Sequence, residues 1–419
     1  MPALNPQQFA WMREQGVSEI FSALPDGGVR FVGGCIRNAL MGHEVSDVDL
    51  ATQLPPAQVV AALEAANIRY VPTGIDHGTV TAVIDSKPYE ITSLRKDVKT
   101  DGRRAVVSFT SDWAEDAQRR DLTFNALYAD YDGQIFDPTG QGLEDLGLEG
   151  SQPSRFRFVG DADARVKEDY LRILRFFRFL AWYGRSSSGK MSKPDAASLK
   201  ACRENAKGLK KLSAERVWME LKKLLLAPDP ARALRIMLTN DILETLLPEA
   251  SNVEGLELLM ALERREAVKP DPLLRLMALS TREPLPMALL TKRLKMSNKE
   301  KSRLIQWAAD STALDPNADD RSKRVAIYKA GKQVMLDRAR LRAAGAEDPI
   351  TSSRWMSLAD LAMGWTPPAF PLTGQDLIKA GETPGVAMGK KLEALKALWV
   401  RSGFTVEKDK LLIALKLLG

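Results

Sequence analysis

Over residues 1–140 the apolar positions fall in short runs that alternate or are rich in β-branched side chains. Val29–Val32, Val48–Ala51, Ile68–Val71, Thr79–Ile84 and Tyr89–Leu94 are each bounded by Gly, Pro or Asp, and they predict strands. Helical spacing fills the gaps at Cys35–Met41 and Pro56–Ala66, the second opening on a proline suited to a first helical turn. Past Gly150 the period changes. Apart from a short Arg155–Val159 run, apolar residues recur at helical spacing, as in Asp163–Gly184, Ser213–Leu226 and Pro230–Leu238. Breaks rich in Gly, Pro, Ser or Asp fall at Gly184–Pro194, Ala313–Arg321, Ala344–Ser353 and Gly364–Gly374. The pattern predicts a small α/β head followed by an all-α remainder, with no internal repeat.

Composition narrows the class. A chain of 419 residues holds two to four domains at roughly 100–200 residues each. Apolar residues make up 45% and charged residues 27%, enough for an ordinary buried core. Sixty basic against 54 acidic residues leave a net charge of +6, which suits an anionic partner and equally a solvated surface. Cys35 and Cys202 lie far apart, so a disulfide framework is not expected and a reducing, cytoplasmic location is. With only His43 and His77, His-rich zinc sites are excluded, and Ser-His-Asp or Cys-His hydrolase chemistry is disfavoured. No signal peptide is read at the start, and no apolar run approaches the ~20 residues that span a bilayer.

The richest segment is Phe31-Val-Gly-Gly-Cys-Ile-Arg-Asn-Ala-Leu-Met-Gly42, followed by Ser46-Asp-Val-Asp-Leu-Ala-Thr52. A strand runs into Gly33-Gly34 and then a helix, so the backbone can approach an anion and free helix N–H groups can meet a phosphate. Arg37, one turn in, has a fork suited to a bidentate grip on phosphate oxygens. Asp47 and Asp49, two apart on a predicted strand, project from one face. Two such carboxylates repel unless a cation lies between them, and magnesium with phosphate oxygens fills that need. A lone pair of this kind is also what a solvated strand end looks like; the glycine turn and arginine just upstream shift the balance to metal. Glu90, on the predicted neighbouring strand, is a candidate third carboxylate or an outward-facing surface residue.

These residues resemble the active-site signature of the DNA-polymerase-β-like nucleotidyltransferases. The form Gly-Gly-x-Ile-Arg-x-x-Leu-x-Gly is similar to class II tRNA nucleotidyltransferases (CCA-adding enzymes) and to their relatives, the bacterial poly(A) polymerases. The resemblance implies that Asp47 and Asp49 hold the catalytic Mg2+ ions. One departure is Asn38, where the family usually has Asp.

Two further segments extend the match. In Glu115-Asp-Ala-Gln-Arg-Arg-Asp-Leu-Thr-Phe-Asn-Ala-Leu127, adjacent arginines suit phosphates, and Asp and Asn suit sugar hydroxyls, although such a string is also a common surface salt-bridge cluster. It resembles the family's Arg-Arg-Asp-x-x-x-Asn-Ala motif, which implies that Arg120, Asp121 and Asn125 face the triphosphate and ribose. Asp137–Leu146 resembles the flexible connector out of the head. Residues 163–179 read as one helix on which Asp169, Arg172, Arg175 and Arg178 form a ridge, opposite an apolar side with Leu171, Leu174 and Phe177. Such a ridge can be a plain set of helix ion pairs. It can also read a base: Asp accepts and Arg donates, which matches an amino group beside a ring nitrogen. Cytosine and adenine present that edge, and uracil and guanine present the reverse. Glu168-Asp-Tyr-Leu-Arg172 resembles the family's Glu-Asp-x-x-Arg motif, with the same implied role. Ser213–Glu220 resembles the motif that supports this helix, with Ser213 as a plausible N-cap, and Leu372–Gly385 resembles family tail sequence. Gly184–Ser192 imitates a phosphate loop, but a helix precedes it and Pro194 follows, so it is read as a basic loop.

The resemblance implies an α/β head of the DNA-polymerase-β-like type at residues 1–140, which is catalytic. A helical neck for base recognition follows at 141–226, and a helical body and tail binding tRNA at 227–419. The implied reaction is two-metal transfer of CMP and AMP from CTP and ATP to the tRNA acceptor end, with no membrane partner. A poly(A) polymerase, an enzyme adding only the final A or only the two Cs, and an RNA-binding protein on an inactive fold remain open readings. The compact C-terminus and the intact Asp47/Asp49 pair favour CCA addition.

Overall fold

The computed structural model describes residues 3–418 except 73, 76–77, 100–105, 148–153 and 186–188. Two compact units result, Met1–Pro248 and Glu249–Gly419.

The first unit is built on a seven-stranded sheet. Its elements are α1 (Gln15–Ala23), β1 (Val29–Val32), α2 (Gly34–Leu40), β2 (Asp49–Thr52), α3 (Pro56–Ala65), β3 (Tyr70–Val71), β4 (Thr79–Ile84), β5 (Lys87–Ser93), β6 (Arg95–Lys99), β7 (Val106–Phe109), α4 (Trp113–Gln118), β8 (Tyr128–Ala129) and β9 (Ile135–Phe136). The strand order is β3-β4-β5-β2-β1-β8-β9, and β6 pairs with β7 as a separate ribbon. β1 lies between antiparallel β2 and β8, while β2 runs parallel to β5 with Asp49 opposite Glu90. Alternation explains the burial: along β4 every second residue faces the core, and Phe31, Leu50, Ile91 and Tyr128 are fully enclosed.

The expected strands and helices of the head are present with shifted ends. β8, β9 and the β6–β7 ribbon are additions. β8 and β9 are two residues each, too short to show alternation, and hold their place because Tyr128 and Ile135 are buried. The stretch resembling a flexible connector is folded. Asp137 accepts from the Thr139 and Leu143 amides, and in α5 (Gly142–Leu146) the buried Asp145 accepts from Thr123 Oγ1 at 2.6 Å.

Beyond the head come β10 (Arg155–Phe156), α6 (Ala162–Glu168), α7 (Leu171–Tyr183), β11 (Lys193–Pro194), α8 (Ala196–Glu204), α9 (Ala214–Leu225), α10 (Pro230–Thr239) and α11 (Ile242–Leu246). The single helix expected over 163–179 is a correction: it breaks at Asp169, whose backbone is extended (φ −152°, ψ 105°). The cause is local. Asp169 Oδ1 accepts the Leu171 amide at 3.1 Å, so the side chain competes with the helix ladder and α7 starts afresh. Ser213 stands at the N-cap of α9, but its hydroxyl makes no capping hydrogen bond. The Gly184–Ser192 loop is pinned by Arg232, which donates to the Gly184 and Ser192 carbonyls; residues 186–188 of it lie outside the described set.

The second unit, among its described residues, is helical from α12 (Val253–Arg265) and α13 (Pro272–Leu279) onward. A further helix, Asn298–Ala309, opens with a Ser297/Glu300 capping box. A core around Met335, Ala339 and Leu358 and another around Leu377, Leu395, Trp399 and Leu411 follow along the chain. No helix among the described residues is long and apolar enough to cross a membrane.

Candidate active site

A cavity of about 800 Å³ opens in the first unit, and every candidate catalytic, metal-holding and nucleotide-binding residue of the sequence lines it. The glycine turn forms its floor. Gly33 has φ +69°, and a Cβ there would stand 3.3 Å from the Asn125 carbonyl, so both backbone sign and space call for glycine.

One wall is acidic. Val48 and Leu50 are buried, and the alternation turns Asp47 and Asp49 outward to the cavity. Asp49 opens β2 and Asp47 sits in the loop before it, where Ser46 Oγ donates to its Oδ2 at 3.1 Å. Glu90 faces the same space from β5. Among the described residues none of these three carboxylates has an ion-pair partner. Burial, then Glu90, then Asp47 raise the Asp49 carboxyl above its ordinary value, against a weaker pull from Arg120 and Arg37. Repelling carboxylates with no cation of their own suit a divalent metal. Glu90 does not complete a cage: among the described residues no three His, Cys, Asp or Glu side chains gather to hold one ion.

Arginines stand on the floor. Arg120 is fixed by Asp116 (Nη2–Oδ2 2.9 Å) and by Tyr128 Oη (3.0 Å). Its Nη1 has no partner among the described residues and lies 3.8 Å from the Cβ position of Gly33, so one end of the fork faces the turn. Burial raises the Asp116 carboxyl, but Arg120 and Arg119 outweigh it and bring it to about 2. Arg37 differs from expectation. Its Nε and Nη2 donate to Asn38 Oδ1, Nη2 also to Tyr183 Oη, and Nη1 to Asn125 Oδ1. Four of five donors are committed, which removes the bidentate phosphate grip. Asp121 and Asn125 are committed too. Asn125 Nδ2 donates to Asp121 Oδ1 at 3.0 Å, and Asp121 Oδ2 accepts from Arg175 Nε at 2.7 Å. Burial pushes Asp121 up, but Arg175 and these hydrogen bonds hold it well below the usual carboxylate range.

Another wall is α7 with Asp169 just before it, and each of these charges is paired. Asp169 Oδ2 meets Arg216 Nη2 at 2.6 Å. Arg172 binds Glu168 and the carbonyls of Arg165 and Arg119. Arg178 meets Glu220 of α9 at 2.7 Å. Asp169 and Arg172 share the cavity but do not pair with each other.

The cavity also takes in Thr79, Arg95, Arg119, Tyr183, Arg216 and Lys223, which the sequence reading did not select. Arg119 and Arg216 lie inside motifs already quoted and Arg95 directly follows the Tyr89–Leu94 run, so extending each segment by charge would have found them. Tyr183 and Lys223 carry no local signal and arrive only through tertiary packing.

Comparison with known proteins fits this arrangement. Residues 29–149 match the Poly A polymerase head domain, and residues 193–253 match a family described as the probable RNA and SrmB-binding site of polymerase A. The chain is 35% identical over 96% of its length to "CCA tRNA nucleotidyltransferase 1, mitochondrial" of Danio rerio, covering 89% of that protein. It is 34% identical to the Homo sapiens protein of the same name, over 93% of this chain and 86% of that one. The crystal structure of Bacillus stearothermophilus CCA-adding enzyme in complex with CTP superposes with a TM-score of 0.77, at 28% identity, covering 96% of each chain. With this glycine turn, acidic wall and arginine wall in one cavity, and with relatives matched over nearly the whole length, the chain belongs to the CCA-adding tRNA nucleotidyltransferase family.

Proposed function

We propose that this protein adds CMP and AMP, without a nucleic-acid template, to the 3′ end of tRNA, using CTP and ATP and releasing pyrophosphate. The observation that carries the reading is one cavity lined both by carboxylates with no ion-pair partner among the described residues and by Asp169 and Arg172. The tRNA 3′-oxygen forms a bond to the α-phosphorus as the bond from that phosphorus to the bridging oxygen breaks, and pyrophosphate leaves with the electron pair. Asp47 and Asp49, with Glu90 beside them, would hold the divalent metal, read as Mg2+, which when bound neutralises phosphate charge and favours the 3′-alkoxide.

The chain's own residues supply the positioning. Arg120, locked by Asp116 and Tyr128, presents its Nη1 to the phosphates over the glycine turn. Asp121 and Asn125 fix Arg175 and Arg37 and so shape the floor beneath the sugar. Asp169 and Arg172 meet the amino and ring-nitrogen positions of C and A once the incoming base displaces their present partners. In this reading residues 1–140 are the catalytic head, 141–226 the base-selecting neck and 227–419 the tRNA-binding body and tail. A cytoplasmic location is proposed on the two free, buried cysteines.

The test is incubation of the protein with CTP, ATP and Mg2+ on a tRNA transcript lacking its CCA end and on an unstructured RNA. Addition of C, C and A to the tRNA alone is expected. Long A tails on either RNA would replace this reading with poly(A) synthesis.

A further inference from the structure

Tyr183, the last residue of α7, reaches across the cavity floor to α2. Its Oη accepts from Arg37 Nη2 at 2.8 Å and donates to Asn38 Oδ1 at 3.1 Å. Its ring lies under the Arg37 guanidinium, 4.3 Å to the centroid, and stacks on Phe179 one turn earlier. From Arg37 the bonds run on through Asn125 to Asp121, and from Asp121 back to Arg175 of the same α7. The result is a closed ring that begins and ends on one helix, eight residues apart, and passes through both the glycine-turn helix and the arginine motif of the head.

We infer that Tyr183 is a positioning residue for base selection: it fixes the wall that carries Arg172, and follows Asp169, against the turn that receives the triphosphate. This rests on the functional reading above. A nucleotide is anchored at two places, phosphates on the turn and base edge on α7, so the edge meets its partners only if the two supports keep their spacing. A correct base has hydrogen bonds to lose when the spacing loosens; uracil and guanine, which present the reverse order, have none. Loosening therefore lowers the rate with C and A and leaves the rate with U and G where it was. The ring also accounts for Asn38. Its carbonyl oxygen is the atom that Arg37 and Tyr183 both donate to, and a carboxylate offers the same acceptor, so either residue braces the Arg37–Tyr183 link of the ring.

The experiment is single-nucleotide incorporation on the tRNA transcript with all four NTPs, for wild type, Tyr183→Phe, Asn38→Leu and Asn38→Asp. Tyr183→Phe keeps the ring stack and removes one charge-assisted hydrogen bond, so the CTP-over-UTP preference should fall about tenfold. The fall should lie in kcat for CTP, with KM for tRNA unchanged. Asn38→Leu, which removes the acceptor that braces the Arg37–Tyr183 link, should fall in the same direction, and Asn38→Asp should keep the preference. An unchanged preference in Tyr183→Phe, or equal losses with CTP and UTP, would overturn the inference while leaving CCA addition intact. A wild-type protein with no preference for CTP over UTP would sink the functional reading instead, and this inference with it.

Discussion

The two walls of the cavity handle charge in opposite ways. On the head side Asp47, Asp49 and Glu90 face one another without an ion-pair partner among the described residues, and Asp49 is pushed toward its protonated form. On the α7 side Asp169, Arg172, Arg175 and Arg178 are each tied to a protein partner, most at hydrogen-bond distance. The first wall holds repulsion that an incoming cation relieves. The second is paired beforehand, so its charges are held in place until an incoming base displaces a partner. A surface that binds metal needs free ligands, whereas a surface that discriminates between bases needs groups that cannot drift to suit the wrong one.

That contrast can be broken at its strongest point. Asp47→Asn or Asp49→Asn should cut nucleotide incorporation by roughly 10³-fold, because metal stabilisation of the transferring phosphate amounts to several kcal/mol. The tRNA affinity of these variants should stay close to wild type. The melting temperature of metal-free Asp49→Asn should not fall, since the substitution removes a repelled charge. Wild-type turnover by either variant, measured with purified protein and excess Mg2+, would remove the acidic wall from the chemistry. The opposite response is expected on the other side. Asp121→Asn should destabilise the fold by about 2 kcal/mol, because it strips a charged partner from Arg175. Denaturant unfolding reads this directly, and an unchanged midpoint would show that the pair contributes nothing.

Acid sharpens the same comparison with a smaller effect. Asp49 has its folded pKa raised, so it becomes protonated above the ordinary aspartate value of 3.8 as pH falls, and metal holding is lost there. Asp116 has its folded pKa depressed to about 2, so the stability it lends is present above the ordinary value and lost only as pH falls toward that lower figure. Activity should therefore fade before the fold does, and added Mg2+ should move the activity limb to lower pH. Parallel activity and circular-dichroism titrations check this; coincident loss of both would contradict it.

What the sequence made legible was short-range. The Asp-Val-Asp-Leu alternation already implies a shared face, and Gly33-Gly34 already implies a turn that a side chain would obstruct. The break at Asp169 was not legible, because the apolar spacing of residues 163–183 continues through it and only a side-chain hydrogen bond ends the helix. Partners were hidden as well. Arg37 has the form of a phosphate clamp in the chain, yet in three dimensions Asn38, Asn125 and Tyr183 claim four of its donors. Tyr183 lies 146 residues from Arg37, beyond any local pattern.

The most direct test of a division of labour between the walls offers all four NTPs together to a tRNA lacking its CCA end and reads the new 3′ ends by sequencing. Wild type should yield C, C, A and then stop. Asp169→Ala, which leaves Arg172 able to meet an acceptor in either position, should still extend the tRNA but place U and G among the added residues. Pure CCA ends from Asp169→Ala would show that base choice is made elsewhere and that the α7 wall is only a structural ridge.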